Sequence, residues 1–154
     1  MTAPRRTTQW AVLLAASAAV TACASDSHTL DYAPPSITEL DSHISGMATA
    51  HCLTSLGDKG LPERDAQVMR EQGDRWGQIV LERSAGDFFL AFAKMRPALD
   101  AALAATPMTL VKDEANAGSL TAPVYYCAQI LRQPAVVSAL AEARAVLAPD
   151  YASR

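Results

Sequence analysis

Cys52 and Cys127 constrain this chain more than any other feature. Each stands on the inward stripe of a separate helical pattern. A bond between them would tie the first helix to the fourth across a long loop. The chain-entropy account gives such a loop about 4.5 kcal/mol of stabilisation, less any strain in the folded state. That is a large share of the ~5–15 kcal/mol that separates an ordinary domain from its unfolded chain. Two separate buried thiols are the alternative. The compartment decides between them, because disulfides persist where the surroundings are oxidising. No Cys-x-x-Cys occurs, which argues against a redox-active pair.

The N-terminus bears on the compartment. Arg5 and Arg6 form a positive n-region, and Trp10 to Val20 is an apolar run. The run falls far short of the roughly 20 residues that span a bilayer, so it reads as an export signal. Pro4 and Thr7-Thr8-Gln9 fit a twin-arginine pattern poorly. Val20-Thr21-Ala22-Cys23 closes the run. This tetrapeptide resembles the bacterial lipobox. The resemblance covers residues 1–23 and implies cleavage before Cys23, acyl chains on that residue, and attachment to a membrane. In Gram-negative lipoproteins a following Asp is the usual inner-membrane retention cue. Ala24 stands there instead, which implies the outer membrane, facing the periplasm. An ordinary signal peptide with an incidental cysteine is the competing reading. Each buried methylene of an acyl chain contributes about 0.8 kcal/mol, and several chains make the attachment stable.

The expected layout is a signal peptide over 1–22, a lipidated tether over 23–35, a helical domain over 36–150 and a tail over 151–154. The tether has no apolar period and ends in Pro34-Pro35, so it is expected to be extended. Loss of Arg5 and Arg6 with the signal takes the formal charge from −3 to −5. Nucleic acid and anionic headgroups both call for a basic face, so neither is an expected partner. The remaining length fits one small domain with a modest core.

Ser36-Ile37-Thr38-Glu39 matches a capping box. Ile37, Leu40, Ile44, Met47, Ala48, Cys52 and Leu56 follow at helical steps, and Gly57 is a plausible stop. Pro62 opens a second helix, with Val68, Met69, Trp76, Ile79 and Val80 as its expected buried side. On the opposite side Arg70 with Asp74, and Glu71 with Arg75, stand four apart. Gly73 and Gly77 each cost about 1 kcal/mol relative to Ala inside a helix. They either admit a neighbouring helix beside Trp76 or mark a kink or an end. Asp87 caps a third helix carrying Phe88, Phe89, Phe92, Met95, Leu99 and Leu103, which Pro97 should kink or split. Met108 to Leu120 lacks a period and reads as an exposed loop. Pro123 opens a fourth helix with Val124, Cys127, Ala128 and Leu131 inward. Pro134 opens a fifth with Val136, Val137, Leu140, Ala143 and Leu147 inward. No internal repeat and no strand pattern stands out. The expected fold is all-α: one small bundle of four or five helices, stapled by one disulfide.

The chemistry-bearing residues are sparse. Glu39 and His43 stand four apart and can tune a proton donor, a spacing that also arises on any polar helix face. His51 neighbours Cys52, but adjacent helical positions diverge by about 100°, and the disulfide would consume the thiol. His28, His43 and His51 lack the spacing that puts two imidazoles on one helical face. Met47, Met69, Met95 and Met108 are better read as packing than as soft ligands. Asp113-Glu114, beside Lys112, reads as solvated surface. No phosphate loop, nucleophile elbow or covalent haem motif occurs. No catalytic residue, metal or cofactor is therefore assigned. Trp76, Tyr125 and Tyr126 are the candidate interface residues, since exposed aromatics are enriched where proteins meet. Both tyrosines covering the disulfide is the structural alternative.

Three readings of function follow. The leading one is a non-enzymatic lipoprotein that binds a protein in the envelope, as an assembly accessory or as an inhibitor or immunity protein; the acidic excess would suit a basic partner. The second is a carrier of a small apolar ligand held among Phe88, Phe89, Phe92 and Trp76. The third is an enzyme with a site around His43, His51 and nearby carboxylates.

Overall fold

The computed structural model describes residues 34–115 and 118–152; Cys23 and the expected signal and lipid anchor lie outside them. The fold is a small all-α bundle closed by one disulfide. Its elements are α1 (Leu40–Thr54), α2 (Glu63–Arg83), α3 (Phe88–Ala105), α4 (Pro123–Ile130) and α5 (Pro134–Ala152). Two short strands, β1 (Leu110–Asp113) and β2 (Gly118–Thr121), form an antiparallel hairpin between α3 and α4. A 3-10 turn, Ile37–Glu39, leads into α1. Glu39 accepts the Ser36 backbone N–H at 2.9 Å and its hydroxyl at 3.1 Å, closing the expected capping box.

The centre of the molecule is α1. It packs on α2, α5, α4 and α3, while α3 packs chiefly on α5. Leu40, Ile44, Met47, Ala48 and Cys52 are buried as their spacing predicts, with Leu56 just beyond the helix. Ile37 is the exception and is exposed. Cys52 on α1 is bonded to Cys127 on α4, with Cα atoms 5.8 Å apart across a separation of 75 residues. Both sulfurs sit in fully buried residues.

The buried side of α2 differs from expectation. Val68 and Ile79 are exposed and Trp76 is half-exposed, whereas Val80 is buried as expected; the closest approach to α1 is made by Gly73. The glycines are the reason. A Cβ on Gly73 would lie 2.7 Å from the Ala50 carbonyl oxygen and 2.8 Å from Thr54 Cγ2. A Cβ on Gly77 would lie 3.6 Å from that of Ala50, an ordinary contact. The backbones meet where the side chains vanish, and the larger residues are turned to the flank. On the outer side Glu71 and Arg75 pair as expected at 3.8 Å, whereas Arg70 reaches Glu63 at 2.9 Å rather than Asp74.

α3 begins as expected, with Asp87 accepting from the Leu90 N–H at 2.9 Å. It runs unbroken through Pro97; the Ala93 carbonyl that loses a donor there belongs to an exposed residue that water can reach. Phe88, Met95, Leu99 and Leu103 are buried, but Phe89 is not. On α4 the inward residues are Tyr126, Cys127 and Ile130, whereas Val124 and Ala128 face out. On α5 the core takes Val136, Ala139, Ala143, Leu147 and Tyr151, and Val137 is exposed.

The stretch expected as a plain loop contains the hairpin, registered Leu110 to Thr121 and Val111 to Leu120. No residue of either strand is buried. Without a buried face there is no apolar alternation, so the usual strand signal is missing.

Two outcomes test this packing. Gly73→Ala gains about 1 kcal/mol of helix propensity, but overpacking against a backbone carbonyl costs typically 1–3 kcal/mol; urea unfolding should show it neutral to destabilised by ~2 kcal/mol, while Gly77→Ala is neutral to stabilised by ~1 kcal/mol. Replacing Cys52 and Cys127 together by Ala should lower the unfolding free energy by about 4 kcal/mol in the same assay.

Candidate functional site

Three groupings carry polar chemistry or exposed apolar surface. The first lies where α1, α5 and the α2–α3 loop meet. His43 is the buried polar residue of the described core, 7 % exposed. Its Nδ1 is 2.6 Å from the Tyr151 hydroxyl. The Ala85 backbone also hydrogen-bonds that hydroxyl. The arrangement that satisfies both has the phenol O–H donating to an unprotonated Nδ1. Burial holds His43 below its ordinary value, and Arg83 adds to this, while Glu39 opposes it. Glu39 is itself lowered, first by the Ser36 backbone and hydroxyl, and it pairs with Arg83 at 3.3 Å. Burial raises Tyr151. The expected Glu39–His43 interaction is therefore present, within a network that also includes Tyr151, Ala85, Ser36 and Arg83.

The second grouping is on α1 and α3. His51 Nε2 lies 2.6 Å from Asp100 Oδ1, and Arg96 reaches the other Asp100 oxygen at 3.3 Å. Phe92 meets the imidazole edge-on, ring centroids 5.2 Å apart. Sequence spacing had no way to show this pair, because its partners are 49 residues apart. No thiol is available beside it, since Cys52 is in the disulfide. Among the described residues no group of three or more His, Cys, Asp or Glu side chains is arranged to hold a metal.

The third grouping is the exposed apolar surface. Leu110, Val111, Leu120, Val124 and Tyr125 are each more than half exposed. The hairpin carries the first three and α4 the last two. The two elements are joined: Thr109 Oγ1 donates to Gln129 Oε1 at 2.7 Å, and the Ala122 N–H donates to the Thr109 carbonyl at 3.0 Å. Inside the same helix the Tyr126 hydroxyl donates to the Thr106 carbonyl at 2.8 Å. Tyr126 is thus wholly buried, with burial raising its phenol. This corrects its place among the interface candidates: a hydroxyl that anchors the end of α3 cannot face a partner. Tyr125, one residue away, points outward and is 56 % exposed.

Trp76 is divided. A Cβ on Gly46 would lie 3.1 Å from its indole nitrogen, so one side of the ring rests on α1; the rest is exposed. It lies on a different helix from the hairpin and α4. The rings expected to line a ligand cavity are dispersed. Phe88 is in the core, Phe89 is exposed, Phe92 is on His51 and Trp76 is on Gly46. An open hollow of about 380 Å³ lies at the hairpin end, lined by Lys112, Asp113, Glu114, Gly118 and Ser119. Among the described residues no helix is long and apolar enough to cross a membrane. Comparison with family models, with curated proteins and with solved structures finds no match to this chain.

The buried histidine sets a pH dependence. Its folded value lies below the unfolded 6.5, so its contribution is complete above that value and lost as pH falls through the folded value. Thermal unfolding should move to lower temperature between pH 7 and pH 5. In His43→Gln that part of the slope should flatten. An unchanged slope would remove His43 as its source.

Proposed function

We propose that this chain is an envelope lipoprotein, moored through acyl chains on Cys23 and facing the periplasm, that works without catalysis by holding a second protein. The carrying observation is the exposed apolar surface on two joined elements: Val111 and Leu120 on one face of the hairpin, and Val124 and Tyr125 on α4, each more than half exposed. Single exposed hydrophobes are ordinary on any soluble domain, but a concentrated group is a sign of a contact surface. Tyrosine suits such a place, offering a large rigid area with a polar tip.

The surface has a stiff base. The disulfide at Cys127, the Tyr126 hydroxyl and the Thr109–Gln129 bond all hold α4. A patch held still before binding loses less freedom on binding, which favours affinity. The polar groupings support the same reading. His43 has its hydrogen bonds to Tyr151 inside the fold, and His51 is engaged by Asp100. A partner rich in Lys and Arg would be drawn by the acidic excess of the chain. In this reading the lipid replaces a membrane span, and the tether gives the domain reach.

Affinity purification from the native envelope, with the anchor intact, is the test. The parent should retain one stoichiometric protein partner. Tyr125→Ala should weaken that complex by about 30-fold, on the order of the 2 kcal/mol of an interface hot spot, and Val124→Asp should abolish it with unfolding unchanged. Cys23→Ala should move the protein from the membrane to the soluble fraction. Recovery of the bare polypeptide alone, or an unmodified sulfur on residue 23 by mass spectrometry, would overturn the proposal.

A further inference from the structure

The hairpin has an edge whose pattern fits a second copy of itself. The Ala122 N–H donates to the Thr109 carbonyl, one step below the Leu110–Thr121 pair. In an antiparallel ladder hydrogen-bonded and non-hydrogen-bonded pairs alternate. Val111–Leu120 and Asp113–Gly118 are therefore the hydrogen-bonded pairs. It follows that the backbone N–H and C=O groups of Ser119 and Thr121 point away from β1. Among the described residues the sheet has two strands, and there those groups form an open edge.

The two edges of the hairpin are not alike. β1 carries Lys112 and Asp113, and charged side chains discourage strand pairing. β2 is Gly-Ser-Leu-Thr, with neither charge nor proline. Its open edge is the unguarded one.

We propose that β2 pairs antiparallel with β2 of a second copy, about a two-fold axis through Leu120, to give a four-stranded sheet. The alternation allows an axis at Ser119, Leu120 or Thr121, and only Leu120 pairs both outward residues within the strand. With the axis at Leu120, Ser119 stands opposite the partner's Thr121, and Thr121 opposite the partner's Ser119. All four outward N–H groups then meet outward carbonyls. An axis between Ser119 and Leu120 would oppose an outward residue to an inward one. An axis at Ala122 would oppose Thr121 to the partner's Pro123, which has no N–H.

The side chains agree with the same axis. Leu120 faces the partner's Leu120 as a non-hydrogen-bonded pair, the closer kind, with Cα atoms about 4.5 Å apart. Val111 lies beside Leu120 on that face by the register, so an unbroken aliphatic row crosses all four strands. On the other face the Ser119 hydroxyl meets the partner's Thr121, a favourable cross-strand pair. No like charges are opposed. An isolated hairpin is marginally stable, and more strands with an apolar face stabilise it; the association supplies both. A two-fold arrangement is also the commonest among homo-oligomers. This inference is independent of the lipid anchor, and it shares Val111 and Leu120 with the contact surface proposed above.

The test uses full-length protein purified from the envelope in excess detergent. Under mild oxidation Leu120→Cys should give mostly covalent dimer, because the paired Cα distance falls within disulfide range. Ser119→Cys and Thr121→Cys should stay at the parent level. In sedimentation, Leu120→Lys and Leu120→Glu should each be monomeric at concentrations where the parent dimerises, and their mixture should recover the dimer. Leu120 is exposed, so far-ultraviolet circular dichroism should match the parent throughout. Equal cross-linking at 119, 120 and 121 would overturn the proposal. So would dimers of Leu120→Lys alone, a mixture that stays monomeric, or a parent that stays monomeric while Leu120→Cys traps a different polypeptide.

Discussion

The contact of α1 with its neighbours is the constraint on which the rest of this structure depends. One side of α1 is fastened covalently to α4 through Cys52 and Cys127. Another is pressed against α2 so closely that Gly73 has no space for a Cβ. A third carries His43 to Tyr151 on α5. A domain of this size buries a limited apolar core, and a single central helix that is held in three ways compensates for it. The peripheral elements take their positions from that helix. The hairpin stays outside it, tied through Thr109 to α4 and through α4 to the disulfide.

Secondary contacts reinforce the ends of elements more than their middles. Lys59, in the turn after α1, donates to the Leu103 carbonyl, and the Tyr126 hydroxyl approaches the same oxygen. The last carbonyls of α3 are among those a helix cannot satisfy internally, and they carry its partial negative charge. A cation and a phenol from different parts of the chain converge on them. At the other end of the molecule Gly86, at φ +75°, lies beneath the Asp150 carboxylate, where any side chain would collide. The C-terminal turn of α5 therefore fits a loop that only glycine can form.

Much of this architecture was legible in the sequence, for identifiable reasons. The α1 stripe and its capping box are local patterns, and local patterns survive folding. The inward positions of Cys52 and Cys127 were visible for the same cause. On α2 apolar spacing shows Val80 but not the closest contact with α1, which is made at Gly73, a residue with no side chain. Val68 and Ile79 are displaced by the absence of a Cβ at Gly73 and Gly77. On α4 the pattern of Val124 and Ala128 competed with that of Tyr126 and Ile130, and the phenol's carbonyl partners decided it. The hairpin was hidden because neither of its faces is buried. His51 and Asp100 meet only through the tertiary fold, which no spacing rule can reach. Of the surface, Tyr125 and Trp76 were visible as aromatics, but the pairing of Val111 with Leu120 on one face required the register.

The separation of 75 residues between the bonded cysteines has a temporal consequence. A polypeptide delivered N-terminus first presents residue 52 long before residue 127 emerges. For most of that passage the early thiol lacks Cys127, and α1 can be sheltered only by α3 and, most closely, by α2. Their close backbone contact needs nothing from the second half of the chain, so it is available at that stage. The bond can then close on an α1–α2 pair that is already in place.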